Sequence, residues 1–199
     1  TFILFISDNG RPFPRDKTTL YDSGIKTPFI VHWPNRVKPG SKSDSLVSSI
    51  DIAPAFLELA SLSAPTIFEG HSFLPIIHDP KLMLNRYIFA ERNWHDYEDR
   101  VRAVRNKKYK YIRNFYNDLP NTPPADVVRS VSYREMIRLR NKGKLTKAQK
   151  NTFIQPRAVE EFYDIRNDPF ELHNLALSSD HAKQLKKFRL ALAKWQKET

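Results

Sequence analysis

The hydrophobic positions at the start of the chain run without a break. TFILFI, residues 1–6, is β-branched and aromatic with no period-2 alternation, the pattern of a strand covered on both faces, usually parallel and in an α/β sheet. It passes directly into Ser7-Asp8-Asn9-Gly10, and ligands collect at the carboxyl ends of such strands. A second apolar run, Phe29–Val31 in TPFIVHWP, predicts a short strand stopped by Pro34. In SSIDIAPAFLELASL, Ile52, Ala55, Phe56, Leu59 and Ala60 recur at helical spacing, with Ser49 or Asp51 available as N-cap and Pro54 suited to the first turn. Loop residues Gly70, Pro75 and Pro80 follow. Residues 1–82 therefore read as the end of an α/β layer.

From Asn85 the texture changes. RYIFAE, RVRAVRN and KYKYIRN read as short strands of an antiparallel meander, the last two joined by a tight turn around 106–108. Lys107, Lys108, Lys110 and Arg113 interleave with Tyr109 and Tyr111, which predicts one wet face and one buried face. Segment 115–157 is proline-rich at one end and basic-helical at the other, with Thr146-x-x-Gln149 as a capping box; it reads as an excursion or lid. EEFYDI supplies another strand. Ala182, Leu185, Phe188, Leu192 and Trp195 form one face of a final helix, so 83–199 is expected to be a smaller antiparallel-sheet subdomain. Trp33 and Trp195 read as packing residues.

Composition adds limits. The 199 residues are 40% hydrophobic and 12% aromatic, enough for a core. No apolar stretch approaches the roughly 20 residues that span a bilayer, and no leader pattern opens the chain. The first strand begins at once, so the chain is expected to be the C-terminal part of a longer protein. With no cysteine, disulfides, thiolate metal sites and cysteine nucleophiles are excluded within it. A net charge of +11 favours acidic partners such as sulfated polysaccharide, nucleic acid or anionic lipid, unless an acidic upstream part balances it.

The chemistry gathers in SDNGRPFPRDKTTLYDSG. Asp8 and Asn9 offer two hard oxygen ligands of the kind calcium or magnesium prefers, although Asp-Asn-Gly after a strand is more commonly a turn. Lys17, nine residues after Asp8, is a cation on a loop able to fold back over the same strand end. A metal, carboxylates and a lysine make a pocket for a tetrahedral oxyanion. SDNG, KTTLYDSGIKTPFIVHWP, VKPG and SSIDIAPAFLELA resemble the C-terminal half of the sulfatase catalytic domain. EEFYDIRNDPFELHNLA and the terminal LAKWQKET look like the end of a sulfatase. The DNGxPFP corner and the terminal Leu-Ala-Lys-Trp-Gln are similar to the heparan N-sulfatase branch.

The resemblance implies an α/β fold: the C-terminal part of an alkaline-phosphatase-like mixed-sheet sandwich, then a small antiparallel sheet with a C-terminal helix. It implies that Asp8 and Asn9 ligate Ca²⁺ and that Lys17 neutralises sulfate oxygens, with Arg11 and Arg15 as rival cations. The turn departs from the family's Tyr-Glu-Gly-Gly, having Tyr21-Asp22-Ser23-Gly24, so the reach of Lys17 does not carry over from the resemblance. In FAERNWHDYEDR, Arg92, His95 and Asp96 beside Trp94 suit an acidic sugar, where the family places substrate recognition. For the other histidines a surface or packing role is expected.

The implied reaction is hydrolysis of a sulfate ester or sulfamate on a sulfated sugar, N-sulfoglucosamine of heparan type favoured. The family's nucleophile is a formylglycine made from Cys or Ser in Cys/Ser-x-Pro-x-Arg, which these residues lack, so it is expected upstream and this segment alone is expected to be inactive. Family analogy points to a periplasmic, secreted or lysosomal setting. Two rivals stand beside this reading. One is a metal-dependent phosphodiesterase of the same superfamily, disfavoured because zinc prefers His to Asn9. The other is a non-catalytic binder of sulfated polysaccharide or nucleic acid.

Overall fold

The computed structural model describes residues 1–199, which divide into two compact units: 1–5 with 29–88, and 6–28 with 89–199. In chain order the elements are β1 (Ile3–Ile6), α1 (Asp22–Ile25), β2 (Phe29–His32), α2 (Ile52–Leu59), α3 (Leu74–His78), β3 (Ile88–Trp94), β4 (Glu98–Arg105) and β5 (Tyr109–Asn114). Then come α4 (Ala125–Val128), α5 (Val131–Asn141), α6 (Lys147–Lys150), β6 (Glu160–Asp164) and α7 (Ala182–Glu198). No helix is long and apolar enough to cross a membrane.

In the first unit β1 and β2 form a two-stranded sheet. Ala55 on α2, Phe73, and Leu74 and Ile76 on α3 are its core, with Phe2, Leu4 and Val31 packed against them. The ring of Phe2 meets Trp33 edge-on at 5.4 Å and Phe56 at 5.6 Å. Within these 199 residues one face of β1 is covered. Phe2 and Leu4 turn inward, while Ile3 and Phe5 are 51% and 60% exposed. The sheet has only these two strands, and the core described above lies against one face. A short 3-10 turn, Ser49–Asp51, starts α2. Asp51 is buried and accepts from the backbone N–H groups of Ser48 (2.8 Å) and His71 (2.9 Å) and from Asn85 Nδ2 (3.1 Å). Its carboxylate thus caps the helix start and ties two loops to it.

The second unit is built on a four-stranded sheet in the order β3-β4-β5-β6, with β4–β5 and β5–β6 antiparallel. The register places Val104 opposite Tyr111 and Tyr111 opposite Phe162 on one face; Ala103 opposite Ile112 and Lys110 opposite Tyr163 occupy the other. Strand side chains alternate, so the two faces have different partners. The first face meets α7: Phe162 lies edge-on to Phe188 at 5.4 Å and stacks on Tyr109 at 5.2 Å. Leu185, Phe188 and Leu192 are buried, and Trp195 stacks on Phe89 at 5.0 Å, so the predicted apolar stripe of the last helix faces the sheet except at its first member, Ala182, which is exposed. The second face carries a core of Leu20, Val101, Ala103, Ile112, Tyr163 and Ile165, with Tyr21 and Ile25 against it.

This second contact overturns the expectation of a wet face for the lysine-rich strand. The segment that begins at the Asp-Asn-Gly corner lies on that face, and Lys110 is 0% exposed beneath it. The capping box of the excursion forms as read: Thr146 Oγ1 accepts from Gln149 N–H, and Gln149 Oε1 from Thr146 N–H.

Candidate functional site

The corner and the loop after it form one tied structure. Gly10 N–H donates to the Gly24 carbonyl at 2.9 Å. A Cβ on Gly10 would stand 2.1 Å from Ser23 O, and one on Gly24 2.3 Å from Asp16 O, so only glycine lets these two passes of chain touch. Between them Arg15 (φ 69°) and Thr18 (φ 68°) hold left-handed conformations. For a β-branched residue such as Thr18 that is a marked departure, of the kind that gathers at functional sites and persists only where the surroundings enforce it.

After these two residues the segment is pinned by an ion cluster at the sheet face. Lys110 Nζ bonds Asp22 at 2.5 Å, Glu171 at 2.9 Å and the Leu20 carbonyl at 3.1 Å. Arg105 donates to both Asp22 oxygens at 3.0 Å, and Asp22 N–H donates to Glu171 Oε2 at 2.6 Å. Burial by itself raises a carboxylate's pKa, but Lys110 and Arg105 outweigh it and hold Asp22 below the ordinary range. At Glu171 burial prevails over Lys110 and the pKa is raised. Nearby, Tyr21 Oη donates to Glu161 at 2.7 Å, and burial followed by that carboxylate's charge pushes the Tyr21 pKa up.

Each expected site residue has a definite place. Asp8 is exposed and Asn9 half-buried. Asn9 Nδ2 donates to the Gly10 carbonyl at 2.7 Å, its amide oxygen makes no hydrogen bond, and Asp8 has no hydrogen-bond or ion-pair partner. A carboxylate and an amide oxygen, both uncommitted, fit a hard cation as part of its shell; calcium takes six to eight oxygens. No group of three His, Cys, Asp or Glu gathers anywhere in the chain as a metal shell, so any calcium site needs further donors.

Lys17 pairs with Asp126 on α4 at 2.8 Å. Asp96 accepts from the backbone N–H of Ala125, the first residue of the same helix, and His95 Nδ1 lies 3.6 Å from Asp96. The structure thus brings Lys17, His95 and Asp96 around α4. Arg11 is exposed and 3.5 Å from Asp16. Arg15 is committed elsewhere: it donates to the carbonyls of Phe170 (2.7 Å) and Glu171, and its guanidinium lies 3.7 Å over the Tyr21 ring. Arg92 donates to the Thr18 carbonyl at 3.0 Å and stands 3.6 Å from Asp99, which Arg157 grips with two bonds of 2.7 and 2.9 Å. Burial, then the nearby Arg157, lowers the Arg92 pKa against the pull of Asp99. A cleft of about 300 Å³, counting its open mouth, lies among Thr18, Arg92, Asn121, Arg157 and Glu161.

Sequence reasoning missed Asp22, Lys110, Glu171 and Asp126. The only trace was the departure at Tyr21-Asp22-Ser23-Gly24; a lysine in an alternating strand gives no sign of an acid 88 residues earlier.

A family model described as "N-sulphoglucosamine sulphohydrolase, C-terminal" matches residues 13–151. An ulvan-active sulfatase of Formosa agariphila is 34% identical over 197 residues, covering 98% of this chain and 33% of the relative. The N-sulphoglucosamine sulphohydrolase of Homo sapiens is 31% identical over 212 residues, covering 100% of this chain and 42% of that protein. The chain therefore spans about a third to two fifths of these relatives' length. Among solved structures, BT4656 in complex with its substrate D-glucosamine-2-N,6-O-disulfate matches with a TM-score of 0.71 at 22% identity, over 98% of this chain and 34% of that one, a likeness of fold. By the match over residues 13–151, this chain belongs to the N-sulphoglucosamine sulphohydrolase C-terminal family, a branch of the sulfatases.

Proposed function

We propose that this chain is the sulfate-holding part of a hydrolase that cleaves a sulfate ester or sulfamate from a sulfated sugar, with N-sulfoglucosamine of heparan type as the favoured substrate. The observation that carries the reading is the Asp8–Gly24 segment, in which two uncommitted oxygen donors and a lysine sit on one strained, tightly anchored loop within a sulfatase-family chain.

In this reading Asp8 and Asn9 hold calcium through a carboxylate oxygen and an amide oxygen. Bound there, calcium supplies positive charge to sulfuryl oxygens. Lys17 meets the same oxygens with its ammonium group. Its pairing with Asp126, about half exposed, keeps the ammonium oriented until a sulfuryl group, which offers three acceptor oxygens, takes the place of the carboxylate. The ion cluster under Asp22 fixes the loop, so the donors are aimed before substrate arrives and no reorganisation is needed during reaction. His95 and Asp96 hydrogen-bond the sugar, with Trp94, 68% exposed, available to its ring face. The formylglycine nucleophile belongs to a part of the protein outside these 199 residues, and the segment alone is inactive.

The whole natural protein carrying Asp8→Ala should lose about a hundredfold to a thousandfold in turnover, the scale of removing a charge-stabilising group, while still binding sulfated polysaccharide. Lys17→Ala should lower kcat by about a hundredfold. If turnover survives Asp8→Ala, or turnover and polyanion binding fall together, the alternative of a non-catalytic polyanion binder takes precedence.

A further inference from the structure

The positive charge of the chain is concentrated away from the Lys17 loop. Between Arg129 and Lys150 stand eight lysines and arginines and one acid, Glu135, against a net +11 for all 199 residues. Arg134 and Arg138 on α5 and Lys142 at its C-cap recur every four residues, which places them on one face. Successive charges along that stripe rise about 6 Å. All three are exposed, as are Arg140, Lys144, Lys147 and Lys150. Only Arg138 has a carboxylate partner in this set, Glu135 one turn earlier. Like charges four apart on a helix repel, and a linear polyanion lying along the stripe would remove that repulsion.

We propose that this α5–α6 face is a docking surface for a sulfated polysaccharide, holding a length of polymer while one sugar occupies the Lys17 loop. The inference rests on the sulfated-sugar reading above. It is supported by position: α4, two residues before α5 in the chain, is bonded to both Lys17 and Asp96, so the stripe leads away from the site itself. Other polyanions fit less well. Single-stranded nucleic acid is held by exposed aromatic rings that stack on bases, whereas the aromatic rings here, Tyr133 and Phe153, pack on each other at 5.8 Å with Arg140 over Phe153. A helix lying on a membrane exposes a broad apolar face, whereas Met136, Ile137 and Leu139 are half-buried.

The test is the whole natural protein with Arg134→Gln, Arg138→Gln and Lys142→Gln together, and a companion with Arg134→Lys and Arg138→Lys, which keeps the charge. Heparin is the polymeric probe and N-sulfated glucosamine the monomeric one. The neutral variant should bind heparin at least about tenfold more weakly at about 0.15 M salt, with the slope of log K against log salt reduced by about two to three. KM on polymer should rise in step, kcat/KM on the monosaccharide should stay within about twofold, and the lysine companion should behave as wild type. Unchanged heparin binding overturns the surface, as does a parallel loss of monosaccharide turnover or tighter, equally variant-sensitive binding to single-stranded RNA. If the wild type releases no sulfate yet its heparin binding falls in the neutral variant, the hydrolase reading fails and the docking surface stands.

Discussion

Lys110 shows how one buried charge organises the loop. It sits in a strand of alternating tyrosines and cations, and the sequence predicts it on a wet face; instead its ammonium has no solvent exposure and satisfies Asp22, Glu171 and the Leu20 carbonyl. Such a cluster persists because each charge has partners; removing one leaves the others buried and uncompensated. Lys110→Met should therefore cost about 3–5 kcal/mol of stability, read as a shift of the urea midpoint. A change below about 1 kcal/mol would mean that Asp22 and Glu171 relax to solvent or to Arg105. Asp22 also predicts a pH effect. Its pKa is lowered in the folded protein, so its contribution is present above the ordinary carboxylate pKa and is lost as pH falls through the lowered folded value. Asp22→Asn should flatten the acid limb of the stability profile below about pH 4; an unchanged limb would place the acid sensitivity elsewhere.

At the level of elements, periodicity carried the reading where one face decides the fold. Leu185, Phe188 and Leu192 are apolar at helical spacing and are the residues α7 buries, with Phe188 edge-on to both Tyr109 and Phe162. Phe188→Ala should destabilise by about 3–5 kcal/mol, with the cavity it leaves adding to the lost burial; a milder loss measured by thermal unfolding would mean that Tyr109 and Phe162 collapse into the space. Periodicity was silent where two elements distant in sequence cover each other. The lysine-rich strand β5 has α7 on one face and the Asp8–Gly24 segment on the other, and no alternation within six residues reveals the second cover. Within these 199 residues β1 has one covered face, where Phe2 and Leu4 meet the core of its unit.

For the whole molecule, family membership was legible because DNG, KTTLYDSG and SSIDIAPAFLELA lie close together in sequence and needed no tertiary information. The contacts that orient these motifs were not legible. Lys17 meets Asp126 and Asp96 meets Ala125 across separations of 109 and 29 residues, and nothing local marks either pair. Under the proposed function, this chain supplies sulfate-holding groups to a sulfated-sugar hydrolase. The most direct measurement is sulfate release by the whole natural protein, followed by ion chromatography, with N-sulfated and 6-O-sulfated glucosamine supplied separately. Release from the N-sulfated sugar, abolished by Asp8→Ala in a protein that remains folded, is the predicted result. No release from either sugar, or release that persists without Asp8, would contradict it.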